Sequence, residues 1–247
     1  MSTVAPAHRR AAPLPRYPLE ADCVSKSFRG RAVLTSATLR AYPGAVTALL
    51  GRNGAGKSTL LQILVGLLEP DNGTVRVDGS GQLRVSLSNL ARRGVFFVPA
   101  RDLLLPSLTI EQQMCTARDR FGGTADLAQI AMQLGIADRL RAKPPTLSGG
   151  ERRRAELAVA LARNPAVLIA DEPLRGITPL DAEAIMGALR TCAAQGGAVI
   201  VTGHELPLLL PHVDRVTWCH KGFTRDFDDV GAATADFAFR RDFMPGV

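Results

Sequence analysis

Ala45-Val46-Thr47-Ala48-Leu49-Leu50-Gly51-Arg52-Asn53-Gly54-Ala55-Gly56-Lys57-Ser58 is the stretch that decides the fold. Ala45 to Leu50 is a short apolar run, read as a buried strand. Gly51 to Ser58 fits the spacing GxxxxGK[ST] in full. A helix is expected from about Lys57 to Val65. The glycines let backbone N–H groups turn inward around an anion, and the helix presents its positive N-terminal end to the same point. Lys57 has the reach for β- and γ-phosphates, and the Ser58 hydroxyl suits Mg²⁺. Gly51, Arg52, Asn53, Gly54, Ala55, Gly56, Lys57, Ser58 and Thr59 are therefore candidate nucleotide-binding residues.

Outward from this stretch the same alternation continues. Gly73 to Gly79 reads as a strand running into an Asp-Gly turn, and Gly94 to Pro99 as a strand stopped by proline. The segment from about 101 to 160 reads as helical, with capping-box spacing at Thr109–Gln112 and Ser148–Glu151. Asn164-Pro165 ends it, and Ala166 to Ala170 is a second buried strand. Thr178-Pro179 opens a helix with a cap and an N1 proline. Gly196-Gly197 closes that helix, and Ala198 to Thr202 is a third buried strand. Strands alternating with helices predict an α/β domain whose parallel sheet is covered on both faces. The helical block between strands predicts a second, smaller lobe.

The 247 residues suit one large α/β domain or two small ones. Residues 1–18, rich in Ala, Pro and Arg, read as a flexible extension, leaving 19–247 as the domain. The formal charge of +7 attracts anions in general without choosing among them. No apolar run approaches the roughly 18 residues of a membrane span. A chain of this kind is expected in the cytoplasm, reaching a membrane only by docking on another protein. Cys23, Cys115, Cys192 and Cys219 form no CxxC pair, and reduced thiols are expected. Cys219 beside His220 is a poor ligand pair, since neighbours on a strand point to opposite faces.

Asp171-Glu172 follows the second buried strand, at the end where an open α/β sheet gathers its chemistry. Asp171 suits the role of an indirect Mg²⁺ ligand, acting through a bound water or on the metal's own ligands. Glu172 suits a carboxylate that polarises an attacking water. Leu147-Ser148-Gly149-Gly150-Glu151 stands between the glycine-rich loop and this acidic pair. Its two bare glycines at a helix start leave N–H groups open to an anion.

Together these motifs resemble the ATP-binding subunits of ABC transporters over about residues 19 to 220. Leu147 to Pro173 is most similar to the ATPases of branched-chain amino acid importers and lipopolysaccharide exporters. The resemblance implies a P-loop NTPase of the ABC type, an α/β core with a helical subdomain inserted over about 101–160. It implies that Ser148, Gly149 and Gly150 bind the γ-phosphate of ATP held by an opposite subunit. That implies a head-to-tail homodimer with ATP and Mg²⁺ at the interface. It also implies that His204 contacts the γ-phosphate and helps position water, and that Phe28 stacks on adenine; the bland alternative for Phe28 is a core aromatic. The implied partner is a transmembrane permease on a separate chain, with this chain peripheral on the inner face of the cell membrane.

Two positions depart from the family pattern. Ala100 stands where a glutamine usually contacts Mg²⁺ and water, with Arg101 and Asp102 as candidate substitutes. Thr178 stands where many members carry Asp. Arg139, Arg141, Lys143 and Arg152-Arg153-Arg154 form a basic region, read either as solvated side chains or as a partner contact near the nucleotide. The rival readings are a poorly hydrolysing regulatory module, favoured by Ala100, and a non-transport ABC protein acting on nucleic acid. The second lacks aromatics interleaved with basic residues, so no nucleic-acid partner is expected.

Overall fold

The computed structural model describes residues 17–82, 85–100 and 103–243. Residues 1–16 of the expected extension, and Arg101 and Asp102, lie outside the described residues. The chain opens with strands β1 (Leu19–Phe28) and β2 (Arg31–Arg40), an antiparallel pair closed by a two-residue turn. Arg29 (φ 50°) and Gly30 (φ 78°) are both left-handed there, the geometry that matches the twist of a hairpin. Strand β3 (Val46–Leu50) is buried along its whole length, and helix α1 (Lys57–Leu64) follows the glycine-rich loop. Strands β4 (Asn72–Val77) and β5 (Ser80–Gln82) are joined by Asp78 and Gly79, again both at positive φ. Helix α2 (Leu87–Arg92) leads to β6 (Val95–Val98).

Helices α3 (Ile110–Arg120), α4 (Leu127–Gln133) and α5 (Gly149–Leu161) come next. The stretch expected to be helical holds three α-helices and two short 3-10 turns, with breaks around Gly122-Gly123, Gly135 and Pro144-Pro145. Both capping boxes form, at Thr109 with Gln112 and at Ser148 with Glu151. The order then runs β7 (Val167–Ala170), α6 (Pro179–Ala194), β8 (Ala198–Gly203) and α7 (Leu206–Leu209). It ends with β9 (Arg215–His220), β10 (Phe223–Phe227), α8 (Val230–Ala235) and α9 (Phe237–Phe243).

The strands form one sheet in the order β5-β4-β1-β2-β10-β9-β3-β8-β7-β6. The expected parallel sheet is only part of it. Strands β6, β7, β8, β3 and β9 are parallel, whereas β5, β4, β1 and β2 pair antiparallel. The tight turns at 29–30 and 78–79 are too short for a crossover helix, so they deliver antiparallel neighbours. The two parts meet at β2 and β10, where Phe223 opposite Ser36 is the registered pair. Side chains reinforce that junction. Thr224 Oγ1 accepts from the Thr38 amide at 2.7 Å and donates to the Thr38 carbonyl, and Arg40 pairs with Asp226 at 3.1 Å.

Alternate residues of the central strands feed different cores, as a two-residue period requires. Leu49, Ile169 and Ile200 pack on the α1 side with Leu60, Leu61 and Leu64. Leu50, Leu168, Val199 and Val201 pack on the other side with Met114, Leu157, Ile185 and Leu189. Burial on both faces explains why these strands read as unbroken apolar runs.

Candidate functional site

The loop between β3 and α1 is glycine-dependent at its two ends. A Cβ on Gly51 would lie 2.5 Å from the Cys219 carbonyl, and one on Gly56 (φ 106°) would lie 2.6 Å from Leu34 Cδ2. Gly56 caps α1 without any side-chain hydrogen bond, and no acidic residue occupies the first turn. The first N–H groups of α1 are therefore open to an anion. Ala55 N–H donates to the Arg52 carbonyl, and the Ala55 carbonyl accepts the Cys219 thiol at 3.0 Å. Cys219 thus points into the loop, while His220 points away, 2.8 Å from Asp242.

Asn53, Gly54, Ala55, Gly56, Lys57, Ser58 and Thr59 line a cavity of about 670 Å³ together with Glu172. Its far walls are Arg31–Val33 on β2 and Lys221-Gly222 between β9 and β10. Lys57 is buried and donates to the Gly51 carbonyl at 2.7 Å. Burial pulls its ammonium below the ordinary lysine value, and Cys219, Glu172 and Asp171 pull the other way. A buried cation resting on backbone carbonyls is poorly compensated, which favours an incoming polyanion.

Asp171 and Glu172 leave the C-terminal end of β7 beside this loop. Thr202 on β8, fully buried, donates to Asp171 Oδ1 at 2.6 Å and accepts from the Glu172 amide at 2.8 Å. Glu172 itself is left-handed, φ 47°. Its carboxylate lies 3.3 Å from Arg175 and 3.8 Å from His204 Nδ1.

Ser148 and Glu151 start α5. The Ser148 amide donates to Glu151 Oε2 at 2.8 Å, the Glu151 amide donates to Ser148 Oγ, and Arg139 Nε donates to Glu151 Oε1 at 2.7 Å. The Arg139 guanidinium, followed by the Ser148 donors, holds the Glu151 carboxyl down to about 2. A Cβ on Gly149 would meet nothing within 4 Å, so the helix start is open. Gly149, Ala100, Arg175 and Glu172 line a second cavity of about 360 Å³. Ser148, Gly149 and Gly150 do not border the Lys57 cavity.

Two open alternatives are narrowed. Phe28 is not a core aromatic: it is 45% exposed at the hairpin tip, with Lys26 Nζ 6.0 Å from its ring, and it does not border the Lys57 cavity. The basic region is divided: Arg139, Arg141 and Lys143 are exposed, whereas Arg152, Arg153 and Arg154 on α5 are partly or fully buried. Arg152 donates to the Pro144 carbonyl, Arg154 pairs with Asp181, Arg139 pairs with Glu151, and Arg153 is buried. The α5 guanidinium groups thus have internal acceptors. Sequence reading missed Thr202 and Arg153 as parts of the site. Arg153 had a signal in Glu156, a lone charge at i+3 within the apolar run Ala155–Leu161. Thr202 had only its place two residues before His204.

An open anion cradle at a helix start, facing an acidic strand end, defines a phosphate-handling hydrolase of the P-loop class. The sequence model of the family described as "ABC transporter" matches residues 34–175. An uncharacterized ABC transporter ATP-binding protein of Rhizobium meliloti is 31% identical over 227 residues, covering 89% of this chain and 84% of its own. The lipoprotein-releasing system ATP-binding protein LolD 1 of Rhodospirillum rubrum is 38% identical over 223 residues, covering 85% and 98%. A dimeric bacterial ABC transporter cassette superposes with a TM-score of 0.74 at 24% identity, covering 85% and 98%, a likeness of fold. The chain belongs to the ABC transporter family, as an ATP-binding subunit whose ATP hydrolysis powers a membrane transporter. The rival regulatory reading is not favoured.

Proposed function

We propose that two copies of this chain close head to tail around two ATP molecules. Each nucleotide would lie between the Lys57 loop of one copy and the Ser148–Gly150 helix start of the other. The observation that carries this reading is that the two anion-ready helix starts open on different cavities of one chain. A second copy placed head to tail would bring one of each to a single phosphate chain.

In this reading the loop N–H groups and Lys57 hold the β- and γ-phosphates, and Phe28 stacks on adenine. The donors fit Mg²⁺: Ser58 offers a hydroxyl in the cavity, and Asp171 keeps a carboxylate oxygen beyond the one that accepts from Thr202. A hard cation that retains water and phosphate ligands needs no more from the protein. When bound, it neutralises charge on the phosphates. Glu172 polarises a water toward the γ-phosphorus and takes its proton. The bond from the γ-phosphorus to the β,γ-bridging oxygen breaks, leaving ADP and inorganic phosphate. His204 steadies the γ-phosphate and the water.

Closure and reopening then drive a transmembrane permease on a separate chain, with this chain peripheral on the cytoplasmic face of the cell membrane. No described helix is long and apolar enough to cross a membrane. The chain from Leu19 onward works as one ATPase domain, with residues from about 101 to 160 as its helical subdomain. The test is Glu172→Gln, which removes the carboxylate at nearly constant shape. It should bind ATP, fail to turn over, and run as a dimer on size exclusion with ATP. A monomer under those conditions, or turnover at the parent rate, refutes the reading.

A further inference from the structure

We propose that Arg153 is a positioning residue for hydrolysis: its guanidinium ties the start of α5 to the backbone that aims Glu172. The inference rests on the reading of Glu172 as the carboxylate that polarises water. Arg153 is buried, and its side chain has three acceptors on three different segments. Nη1 donates to Glu156 Oε2 at 2.8 Å within α5 and to the Pro99 carbonyl at 2.8 Å, where the chain leaves β6. Nη2 donates to the Asp171 carbonyl at 2.6 Å, where the chain leaves β7.

The last contact matters most. The Asp171 carbonyl belongs to the peptide unit whose N–H is that of Glu172. That unit is held at both ends, its oxygen by Arg153 and its N–H by Thr202. Glu172 follows it in left-handed backbone, a conformation that costs a non-glycine residue free energy and persists where the surroundings enforce it. Turning this peptide would break both bonds and redirect the Glu172 carboxylate. The Pro99 contact adds the residue just before Ala100, where the side chain itself has no polar atom. One guanidinium therefore ties the backbone next to Ala100 to the backbone next to Glu172. Since Arg153 stands on the helix that begins with Ser148, a shift of that helix start reaches the Asp171–Glu172 peptide through one hydrogen bond.

The competing view is a buried ion pair that only holds the core together. The two views separate, because an apolar pair of similar volume commonly replaces a buried ion pair without loss of stability. Arg153→Met/Glu156→Leu should thus fold with a Tm near the parent's while losing both carbonyl contacts. Arg153→Lys keeps the charge beside Glu156, but a single ammonium lacks the planar fork that spans two separate carbonyls. In both variants kcat should fall between about tenfold and a hundredfold, with KM for ATP nearly unchanged. The lysine variant should not rescue the rate.

The measurements are Tm, ATP affinity by titration and steady-state hydrolysis of the full chain, with Glu172→Gln in parallel. Parent-like kcat in either folded variant overturns the proposal, and so does failure of both to fold, which would assign Arg153 to the core alone. If Glu172→Gln itself turns over like the parent, the reading of Glu172 falls first. If Glu172→Gln is inactive and the Arg153 variants are not, only this inference falls.

Discussion

Thr202 and Asp171 are joined by a 2.6 Å hydrogen bond between neighbouring strands, and the same hydroxyl accepts the amide of the next residue, Glu172. One buried side chain on β8 thereby holds the Asp171 carboxylate and the Glu172 backbone just past the end of β7. Thr202→Val preserves shape and removes both bonds. It should cost about 1–2 kcal/mol of stability and lower kcat by about tenfold or more, with ATP affinity retained. Thr202→Ser should stay near the parent in rate. Thermal melting and steady-state hydrolysis decide it; a valine variant at the parent rate would show that Asp171 and Glu172 need no such tether.

Lys57 is held below the ordinary lysine value by burial. Between the folded and unfolded values the unfolded chain binds more protons, so folding is penalised at neutral pH and relieved as the pH rises through that window. Phosphates reverse the situation by supplying countercharge. Lys57→Met should therefore raise the Tm of the nucleotide-free protein at pH 7, and the gain should shrink as the pH rises toward the ordinary lysine value. The same variant should weaken ATP binding by about a hundredfold. A lower Tm together with intact ATP binding would contradict both parts.

Ala100 borders the cavity that also holds Gly149 and Glu172. Ala100→Gln puts an amide into that space, where the family usually has one. Turnover should rise by a larger factor than ATP affinity changes, because positioning of the nucleophile improves while the phosphate contacts stay the same. An unchanged or slower rate in steady-state assays would mean that another group already orders the water.

Glu151 is held down to about 2, first by Arg139 and then by the Ser148 donors. A carboxylate whose folded value lies below its unfolded one contributes stability that is complete above the ordinary carboxylate range. That contribution is lost as pH falls toward about 2. Glu151→Gln keeps an acceptor for the Ser148 amide and removes the charge. Acid unfolding followed by circular dichroism should be shallower for the variant between the ordinary carboxylate range and about pH 2. Superimposable acid curves would remove Glu151 as a source of acid sensitivity.

The strands that sequence reading located share a physical trait. β3, β7 and β8 are buried on both faces, so their composition alone declares them. β1 is the contrast. Its pairing register shifts between Ala21 and Val24 and again before Lys26, and Cys23 sits at φ 50°. Bulges break the two-residue alternation on which strand recognition depends. The loop at Gly51–Ser58 and the helix start at Ser148 were legible because their chemistry is local. Thr202 and Arg153 were not, because their partners lie 31 and 18 residues away, and in part on backbone carbonyls that no residue type marks. Arg153 looked like its neighbours Arg152 and Arg154 until the fold turned it inward.

The junction between β2 and β10 gives the sheet a mechanical character. The two parts of the sheet are two plates whose shared edge has one registered backbone pair and is held largely by side chains, and the Lys57 cavity straddles it, with Arg31–Val33 on one plate and the glycine loop on the other. A nucleotide seated there acts as a clasp. By linkage, whatever free energy the clasp adds to cohesion of the plates is drawn from its own affinity, and any load that pries them apart loosens its grip by the same amount.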